Sequence, residues 1–215
     1  MTYSLASWLG DALRAEGVTV VECDGWQKRG RGNILKLKGG VSHHTAGPFE
    51  GDHPSLNTII DGREGLSGPL AQILLSRSGV AYLAAAGVAN HAGRGRWPWP
   101  NSGVLPNRAN ECTIGIEWEN VGREKFNPEP IQPGAYDAYV KIWSAVCKHA
   151  KLDPKTAIIA HREWAPSRKT DPCGIDMSKF RADIKLQMEG KYVGRVGVGT
   201  VGEVLPSHGG TDLRS

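Results

Sequence analysis

Two short strand-like segments of this chain each end in a histidine. Residues 39–44 read GGVSHH and residues 157–161 read AIIAH, and the short apolar run of the second is typical of a buried strand. Long irregular segments follow both of them. Because α/β folds place their functional sites in the loops at strand ends, we expect His43 and His161 to lie at such a site.

The remaining periodicity predicts a mixed α/β fold. Residues 72–87 read as a β-hairpin, and residues 113–120 (TIGIEWEN) alternate between apolar and other side chains as a strand does. Apolar residues at helical spacing predict three helices, at residues 4–16, 134–151 and 178–189. Two segments are predicted to be mostly loop: residues 18–38, and residues 45–69 with one short helix. We therefore expect an α/β protein with a mixed central sheet flanked by helices, in a single domain.

Composition excludes several classes of protein. Hydrophobic residues make up 40% of the 215 residues and charged residues 22%, which is ordinary for a globular protein. No stretch approaches the roughly 20 apolar residues of a membrane span, and the N-terminus lacks the features of a signal peptide. We expect no membrane insertion and a protein that stays in the cytosol unless something else releases it.

The charge of the chain is mildly basic. The net charge of +4, from 26 Lys and Arg against 22 Asp and Glu, suits an anionic polymer. No basic run is interleaved with aromatic residues, so we expect no nucleic-acid partner. Four scattered cysteines without a CxxC pair are predicted to be reduced thiols.

The segment from His161 to Asp171 carries a histidine, a lysine and a carboxylate directly after a predicted strand. Together with His43 it offers two imidazoles and one carboxylate, which is a common ligand set for catalytic zinc that leaves the fourth position open. The alternative is that both histidines are half-buried strand-end residues and that Asp171-Pro172 is only a turn.

Four motifs in order resemble the zinc-dependent N-acetylmuramoyl-L-alanine amidases, a family that includes peptidoglycan-recognition proteins. The motifs are VSHHTAG (41–47), ANHAGRG (89–95), IGIEWEN (114–120) and HREWAPSRKTDP (161–172). With the intervening strands they cover residues 25–185, and the combination is most similar to actinobacteriophage endolysins. The resemblance implies the amidase-2 fold, bound Zn²⁺ and hydrolysis of the amide between N-acetylmuramic acid and L-alanine of the peptidoglycan stem.

The resemblance also implies the metal ligands. His43 is the first histidine of the HHT motif, His161 opens the HxxxAPxRKxD loop, and Asp171 closes it. Some members of the family use a cysteine as the third ligand, so Cys173 is a rival. We favour Asp171 because the RKTDP spacing is that of the aspartate subgroup.

Two catalytic residues follow from the same resemblance. In the aspartate subgroup the glutamate of IGIE, here Glu117, is the general base, and the lysine two residues before the metal aspartate, here Lys169, donates to the oxyanion. A family tyrosine that acts instead of the glutamate in other members is replaced by Ala71. Taken alone, Glu117 could be a surface carboxylate, with Glu119 on the same face, and Lys169 a solvated loop lysine.

The NHAG motif places His91 and Asn90 among the substrate-binding residues. In the resembling enzymes this histidine contacts substrate near the metal and is not a ligand. The alternative is a structural loop histidine.

The chain is therefore expected to have three parts and one macromolecular partner. We predict a helical extension at residues 1–24, a catalytic domain at residues 25–189 and a Gly-rich linker or tail at residues 190–215. Whether the first 24 residues belong to the catalytic core stays open. The expected partner is peptidoglycan, and a monomer is the default.

The expected biological setting is host lysis by a bacteriophage. The enzyme would wait in the host cytoplasm and reach the wall through a holin-made pore. A non-catalytic peptidoglycan-binding module, an intracellular muropeptide-recycling amidase and a structural or interaction protein with incidental histidines are the alternatives.

Overall fold

A mixed sheet lies at the centre of the fold. The computed structural model describes residues 4–122 and 129–195. In this part of the chain the strands are β1 (Val20–Glu22), β2 (Gly39–His44), β3 (Gly62–Arg63), β4 (Leu66–Ser67), β5 (Ile73–Leu75), β6 (Ala81–Leu83), β7 (Thr113–Trp118) and β8 (Ile158–Ala160). Six of them form the central sheet in the order β1-β6-β5-β7-β2-β8, and β3 pairs with β4 in a separate hairpin.

Helices cover the sheet and frame its loops. They are α1 (Leu9–Ala15), α2 (Leu56–Asp61), α3 (Pro133–Ala150), α4 (Pro154–Ala157), α5 (His161–Trp164) and α6 (Met177–Met188), with 3-10 turns at Trp26–Lys28 and Ala109–Glu111. This arrangement confirms the predicted fold class. Among the described helices, none is long and apolar enough to cross a membrane.

The strand directions bring several strand ends together. Strands β5, β7, β2 and β8 are mutually parallel, whereas β6 runs antiparallel to β5 and β1 runs parallel to β6. Because the carboxyl ends of parallel strands meet at one edge of a sheet, the residues that end β2, β7 and β8 share that edge. In the register of β2 and β7, His43 pairs with Glu117.

Helix α3 packs closely on the middle of the sheet. Its buried face includes Tyr139 and Trp143, which are fully buried. Gly40 of β2 permits this approach, since a Cβ atom there would lie 2.0 Å from the Trp143 ring. Helix α6 then packs on α3, where the hydroxyl of Tyr136 donates to Asp183 at 2.7 Å.

The N-terminal segment contributes to the same core. Leu9 and Leu13 of α1 are fully buried and belong to the main hydrophobic cluster with α3, and β1 forms one edge of the central sheet. Where the catalytic unit begins stays a prediction. Of the expected tail, residues 190–195 are described, and residues 196–215 lie outside the described residues.

Local details differ from the sequence predictions at the first helix, at β1 and at the hairpin of β3 and β4, which lies in a segment predicted to be loop with one short helix. The first helix begins at Leu9 rather than residue 4, because Ser4 pairs with Ile34 and the amide of Ala6 donates to Ala86. Strand β1 was predicted to be loop. It is an edge strand with two exposed residues, so it lacks the apolar alternation that identifies a half-buried strand.

Candidate metal centre

Four of the predicted site side chains converge at the shared edge of the parallel strands. His43 lies near the end of β2, Glu117 lies beside it on β7, and His161 follows β8 directly as the first residue of α5. The loop after α5 returns Asp171 to the same point, where its carbonyl accepts from the amide of Arg162 at 2.9 Å. Residues more than one hundred positions apart in sequence thus become neighbours.

Three potential ligand atoms form a tight triangle. Nδ1 of His43 lies 2.9 Å from Nδ1 of His161, and Oδ2 of Asp171 lies 3.2 Å and 3.0 Å from these two nitrogens. All three residues are buried. Ligand atoms about 2 Å from a tetrahedral zinc ion lie about 3.3 Å apart, so these separations suit three ligands of one ion.

Nε2 of His161, the ring nitrogen that points away from the triangle, makes a hydrogen bond that determines which ring nitrogen carries the proton. Nε2 of His161 lies 2.9 Å from the carbonyl oxygen of Ala92. A carbonyl only accepts hydrogen bonds, so Nε2 carries the proton and Nδ1 of the neutral ring presents its lone pair. Such an outer hydrogen bond is the usual way in which proteins orient a metal-binding histidine.

The charges of the triangle match a metal cation. Burial, with His161 nearby, lowers the pKa of His43 to about 4, which favours the neutral ring that a metal requires. Burial opposes the charged form of Asp171, but the neighbouring imidazoles of His161 and His43 hold its pKa below the usual range. Two imidazoles and a carboxylate are therefore available as ligands, and this set fits zinc.

Glu117 lies beside this triangle, and only one of its two carboxylate oxygens is near a polar partner. Its Oε1 lies 4.0 Å from Nδ1 of His43, and its side chain is 15% exposed. The other oxygen, Oε2, is buried and has no hydrogen-bond partner among residues 4–122 and 129–195. Burial, together with the negative charges of Asp171 and Glu119, raises the pKa of Glu117 well above its usual range, while Lys169 opposes this shift. A carboxylate whose pKa is raised in this way is a stronger base than an ordinary glutamate, which suits a group that takes up and returns a proton.

Glu119 differs from Glu117 in its surroundings. It is fully buried just after β7, where Oε1 accepts from the hydroxyls of Thr45 and Ser55 at 2.8 and 2.7 Å and Oε2 accepts from the amide of Ser55 at 3.0 Å. Glu119 thus anchors the loop after β2. Sequence alternation alone does not separate the two glutamates.

Lys169 lies in the same loop as Asp171 and is half-buried. Its positive charge acts on both His43 and Glu117. The backbone amide of Lys169 donates to Ala165 at 2.9 Å, which fixes the turn that carries it. A cation held near the triangle can stabilise negative charge that develops there.

The residues of the NHAG motif lie close by but are mostly enclosed. His91 is 6% exposed, and its two ring nitrogens lie 3.1 Å from Nε2 of His43 and 3.2 Å from the hydroxyl of Thr113. Burial, with His43 and His161 nearby, holds the pKa of His91 well below its usual range. Asn90 donates from its side chain to the carbonyl of Ser67 at 2.9 Å.

Cys173 lies near the site but makes other contacts. Its thiol donates to Oδ1 of Asn120 at 3.1 Å, and its amide donates to Nδ1 of His44 at 3.0 Å. Within the described residues, the cluster able to hold a metal consists of His43, His161 and Asp171.

Thr113 and Ser55 are site-supporting residues that the sequence analysis did not identify. Thr113 stands four residues before Glu117 in the alternating segment TIGIEWEN, so both side chains lie on one face of the strand, and this was the available signal. Ser55 lies in a segment predicted to be loop, and nothing in its local sequence indicates a contact with Glu119.

A buried histidine-histidine-aspartate triangle beside a largely buried glutamate, at the carboxyl edge of a mixed sheet, is typical of metal-dependent hydrolases. A family model described as N-acetylmuramoyl-L-alanine amidase, Amidase_2, matches residues 34–174. The chain belongs to this amidase family. Comparison with curated proteins gives no match.

Solved structures share the fold at low sequence identity. AmiD from E. coli, in complex with anhydro-N-acetylmuramic acid-L-Ala-D-gamma-Glu-L-Lys, is 23% identical, with a TM-score of 0.56 over 71% of this chain and 58% of that chain. AmpDh3 from Pseudomonas aeruginosa, in complex with an anhydromuramic pentapeptide, is 20% identical, with a TM-score of 0.57 over 71% and 61%. The matched part thus spans about three fifths of these two relatives.

A third similar structure is matched over nearly its whole length. The endolysin LysCS from Clostridium intestinale URNW, an N-acetylmuramoyl-L-alanine amidase, is 18% identical. Its TM-score is 0.53 over 78% of this chain and 95% of that chain.

Proposed function

We propose that this protein is a zinc-dependent amidase that hydrolyses the bond between N-acetylmuramic acid and L-alanine of the peptidoglycan stem. The observation that carries the proposal is the triangle of His43, His161 and Asp171, with edges of 2.9–3.2 Å, beside the unpartnered oxygen of Glu117. Membership of the amidase family supports the choice of scissile bond.

His43, His161 and Asp171 would hold the zinc ion through Nδ1, Nδ1 and Oδ2. When bound, zinc supplies a Lewis acid that polarises the substrate carbonyl and lowers the pKa of a coordinated water. Three protein ligands leave the further position that such chemistry needs. The buried surroundings of the triangle strengthen these electrostatic effects.

Glu117 would act as the general base and then the general acid. Its raised pKa lets the carboxylate take a proton from the attacking water and return it to the leaving amine nitrogen of L-alanine. Because Oε2 has no hydrogen-bond partner in the described part of the chain, it can accept that proton without breaking a hydrogen bond seen there.

Lys169 would stabilise the oxyanion that forms as water adds to the carbonyl. Its charge already acts on His43 and Glu117, and its position is fixed by the turn at Ala165. A preorganised cation contributes mainly in the transition state, where negative charge develops.

The substrate would be peptidoglycan or a fragment of it, bound by a monomer. The muropeptides in the structures of AmiD and AmpDh3 support this class of substrate. The net charge of +4 suits the anionic bacterial wall. Asn90 is proposed to line the substrate groove from the loop before β7.

The physiological role would be that of a phage endolysin. The similarity to the endolysin LysCS and the four motifs support it. The protein would remain in the host cytoplasm until a holin opens the membrane. Expression in a susceptible host should cause lysis only when a pore-forming protein is co-expressed, and lysis without a pore would contradict this route of release.

Product analysis tests the proposed reaction directly. Digestion of purified cell walls should release peptides that begin with L-alanine, together with intact glycan strands, as identified by mass spectrometry. Glu117→Gln should lower this rate by about 10²- to 10⁴-fold, whereas Glu111→Gln should leave it unchanged because Glu111 pairs with Arg108 at the surface. Reducing sugar ends in place of new alanine termini would overturn the proposal.

A further inference from the structure

His91 lies against the start of β7 and directly behind His43. A Cβ atom at Gly115 would lie 2.4 Å from the His91 ring, so the glycine makes room for the imidazole over the strand. Nδ1 of His91 lies 3.1 Å from Nε2 of His43, and Nε2 of His91 lies 3.2 Å from Oγ1 of Thr113. The hydroxyl of Thr113 in turn donates to the carbonyl of Ala109 at 2.7 Å.

These three hydrogen bonds form a series that ends at the carbonyl of Ala109. The acceptor role of that carbonyl fixes which group donates in each of the other two bonds. The carbonyl of Ala109 only accepts, so the single proton of the Thr113 hydroxyl is used there. Oγ1 of Thr113 must then accept, and Nε2 of His91 must donate. A neutral imidazole carries one proton, which leaves Nδ1 of His91 as an acceptor for Nε2–H of His43.

We propose that His91, oriented by Thr113, is a positioning residue that holds His43 in the tautomer with an unprotonated Nδ1. This inference rests on the proposed zinc site. His91 accepts a hydrogen bond from Nε2–H of His43, just as the carbonyl of Ala92 accepts one from Nε2–H of His161. With both rings so fixed, two nitrogen lone pairs and the Asp171 carboxylate face one point at 2.9–3.2 Å with no proton between them.

The proposed role differs from substrate contact, which the sequence resemblance implied for His91. The side chain is 6% exposed, and both ring nitrogens already have protein partners. A residue that binds substrate through its ring would need a free nitrogen facing the groove. A role in positioning His43 explains why His91 is buried, why Gly115 leaves room for its ring and why Thr113 accepts its second hydrogen bond.

Zinc affinity distinguishes the two roles. The dissociation constant for zinc is measured by competition with a chromophoric chelator, in wild type and in four variants. His91→Ala should weaken binding about 10- to 100-fold, as other outer-shell changes do, and Thr113→Val should weaken it in the same direction. Thr113→Ser retains the hydroxyl, and His91→Asn keeps an acceptor where Nδ1 stands, so both should restore most of the affinity.

Kinetics and spectroscopy supply readouts that do not depend on zinc loss. At saturating zinc, KM for a muropeptide should be unchanged in Thr113→Val. In the unmodified metal-free protein, nitrogen-15 shifts of the imidazoles should place the proton on Nε2 of both His43 and His91. This last measurement applies even if His91→Ala fails to fold.

Three results would overturn the inference or its basis. Normal zinc affinity with a raised KM in His91→Ala would identify a substrate contact instead. A proton on Nδ1 of His43 in the wild-type spectrum would contradict the derived hydrogen-bond directions. Failure of the wild-type protein to bind zinc at all would refute the proposed function itself, which separates that failure from the failure of this inference.

Discussion

Glu117 and His43 are register partners on neighbouring parallel strands, and Oε1 of the carboxylate lies 4.0 Å from Nδ1 of the imidazole. The backbone hydrogen bonds between β2 and β7 therefore set the spacing between the candidate base and a candidate ligand. Such an arrangement on rigid strands needs no loop closure to assemble the two groups, and rigid elements hold functional groups more accurately than loops do.

Glu117 should destabilise the metal-free protein at alkaline pH. Its folded-state pKa is raised by burial, so the favourable contribution of the neutral carboxyl is complete below the unfolded-state value of about 4.3 and is lost as pH rises through the folded-state pKa. Glu117→Gln removes this loss. Urea unfolding at pH 8 should show the variant to be more stable than wild type, and the difference should shrink towards zero near pH 4. Equal stability at pH 8 would contradict the assigned pKa shift.

Substitution of Glu119 should destabilise the protein, whereas substitution of Glu117, two residues away, should stabilise it at alkaline pH. Glu119→Ala leaves the buried donors of Ser55 and the partly buried hydroxyl of Thr45 without their acceptor. The variant should lose about 2 to 3 kcal/mol in urea unfolding at pH 7, and amide exchange at Ser55 should accelerate. A stability equal to wild type would show that the loop does not depend on this anchor.

Lys169 should contribute to turnover and not to metal binding. Lys169→Met keeps the aliphatic stem and should lower kcat by about 10²- to 10³-fold, while zinc content stays the same. Because Lys169 opposes the raised pKa of Glu117, the acidic limb of the pH–rate profile should also move to higher pH. Lys36→Ala, an exposed lysine, is the control, and a pH profile unchanged in Lys169→Met would refute the coupling.

Substitutions of Asp171 and Cys173 should have different effects on zinc binding. Asp171→Ala removes one corner of the triangle and should weaken zinc binding by more than about 100-fold, beyond the range typical of outer-shell changes. Cys173→Ser preserves a donor to Asn120 and should bind zinc as wild type does. The reverse pattern, measured by chelator competition, would make the cysteine the ligand.

The first helix should be required for stability. Leu13 is fully buried against the main cluster, and Leu13→Ala should cost about 2 to 5 kcal/mol. Asp11→Ala on the same helix, where the side chain is 99% exposed, should change stability by less than about 0.5 kcal/mol. If Leu13→Ala unfolds at the same urea concentration as wild type, the helix is a separable extension.

The elements with strong local signals could be predicted from the sequence. Helix α3 carries a clear helical apolar period and the hairpin around residues 73–83 carries two apolar runs joined at a turn, and the structure contains both, together with the strand predicted at residues 39–44. The two histidines were placed correctly at strand ends because a strand boundary is a local property. Strand β1 was missed because its pairing with β6 is a long-range contact without a local apolar pattern.

The partners of the candidate site residues could not be predicted in the same way. Glu117 and Glu119 occupy equivalent positions in the alternating pattern, and only the tertiary contacts of Ser55 and Thr45 distinguish them. Likewise, the contact between His91 and Thr113 joins two segments separated by an irregular loop. Such contacts depend on the path of the loop, which local sequence does not determine.

The most direct test measures zinc content and new amino termini in one preparation. We expect one zinc ion per chain and release of amino-terminal L-alanine from purified cell walls, with both lost after chelation and both restored by added zinc. In Glu117→Gln, zinc content should stay and alanine release should fall. Folded protein that binds zinc but exposes no alanine termini would contradict the proposed reaction, and folded protein that binds no zinc would contradict the metal centre.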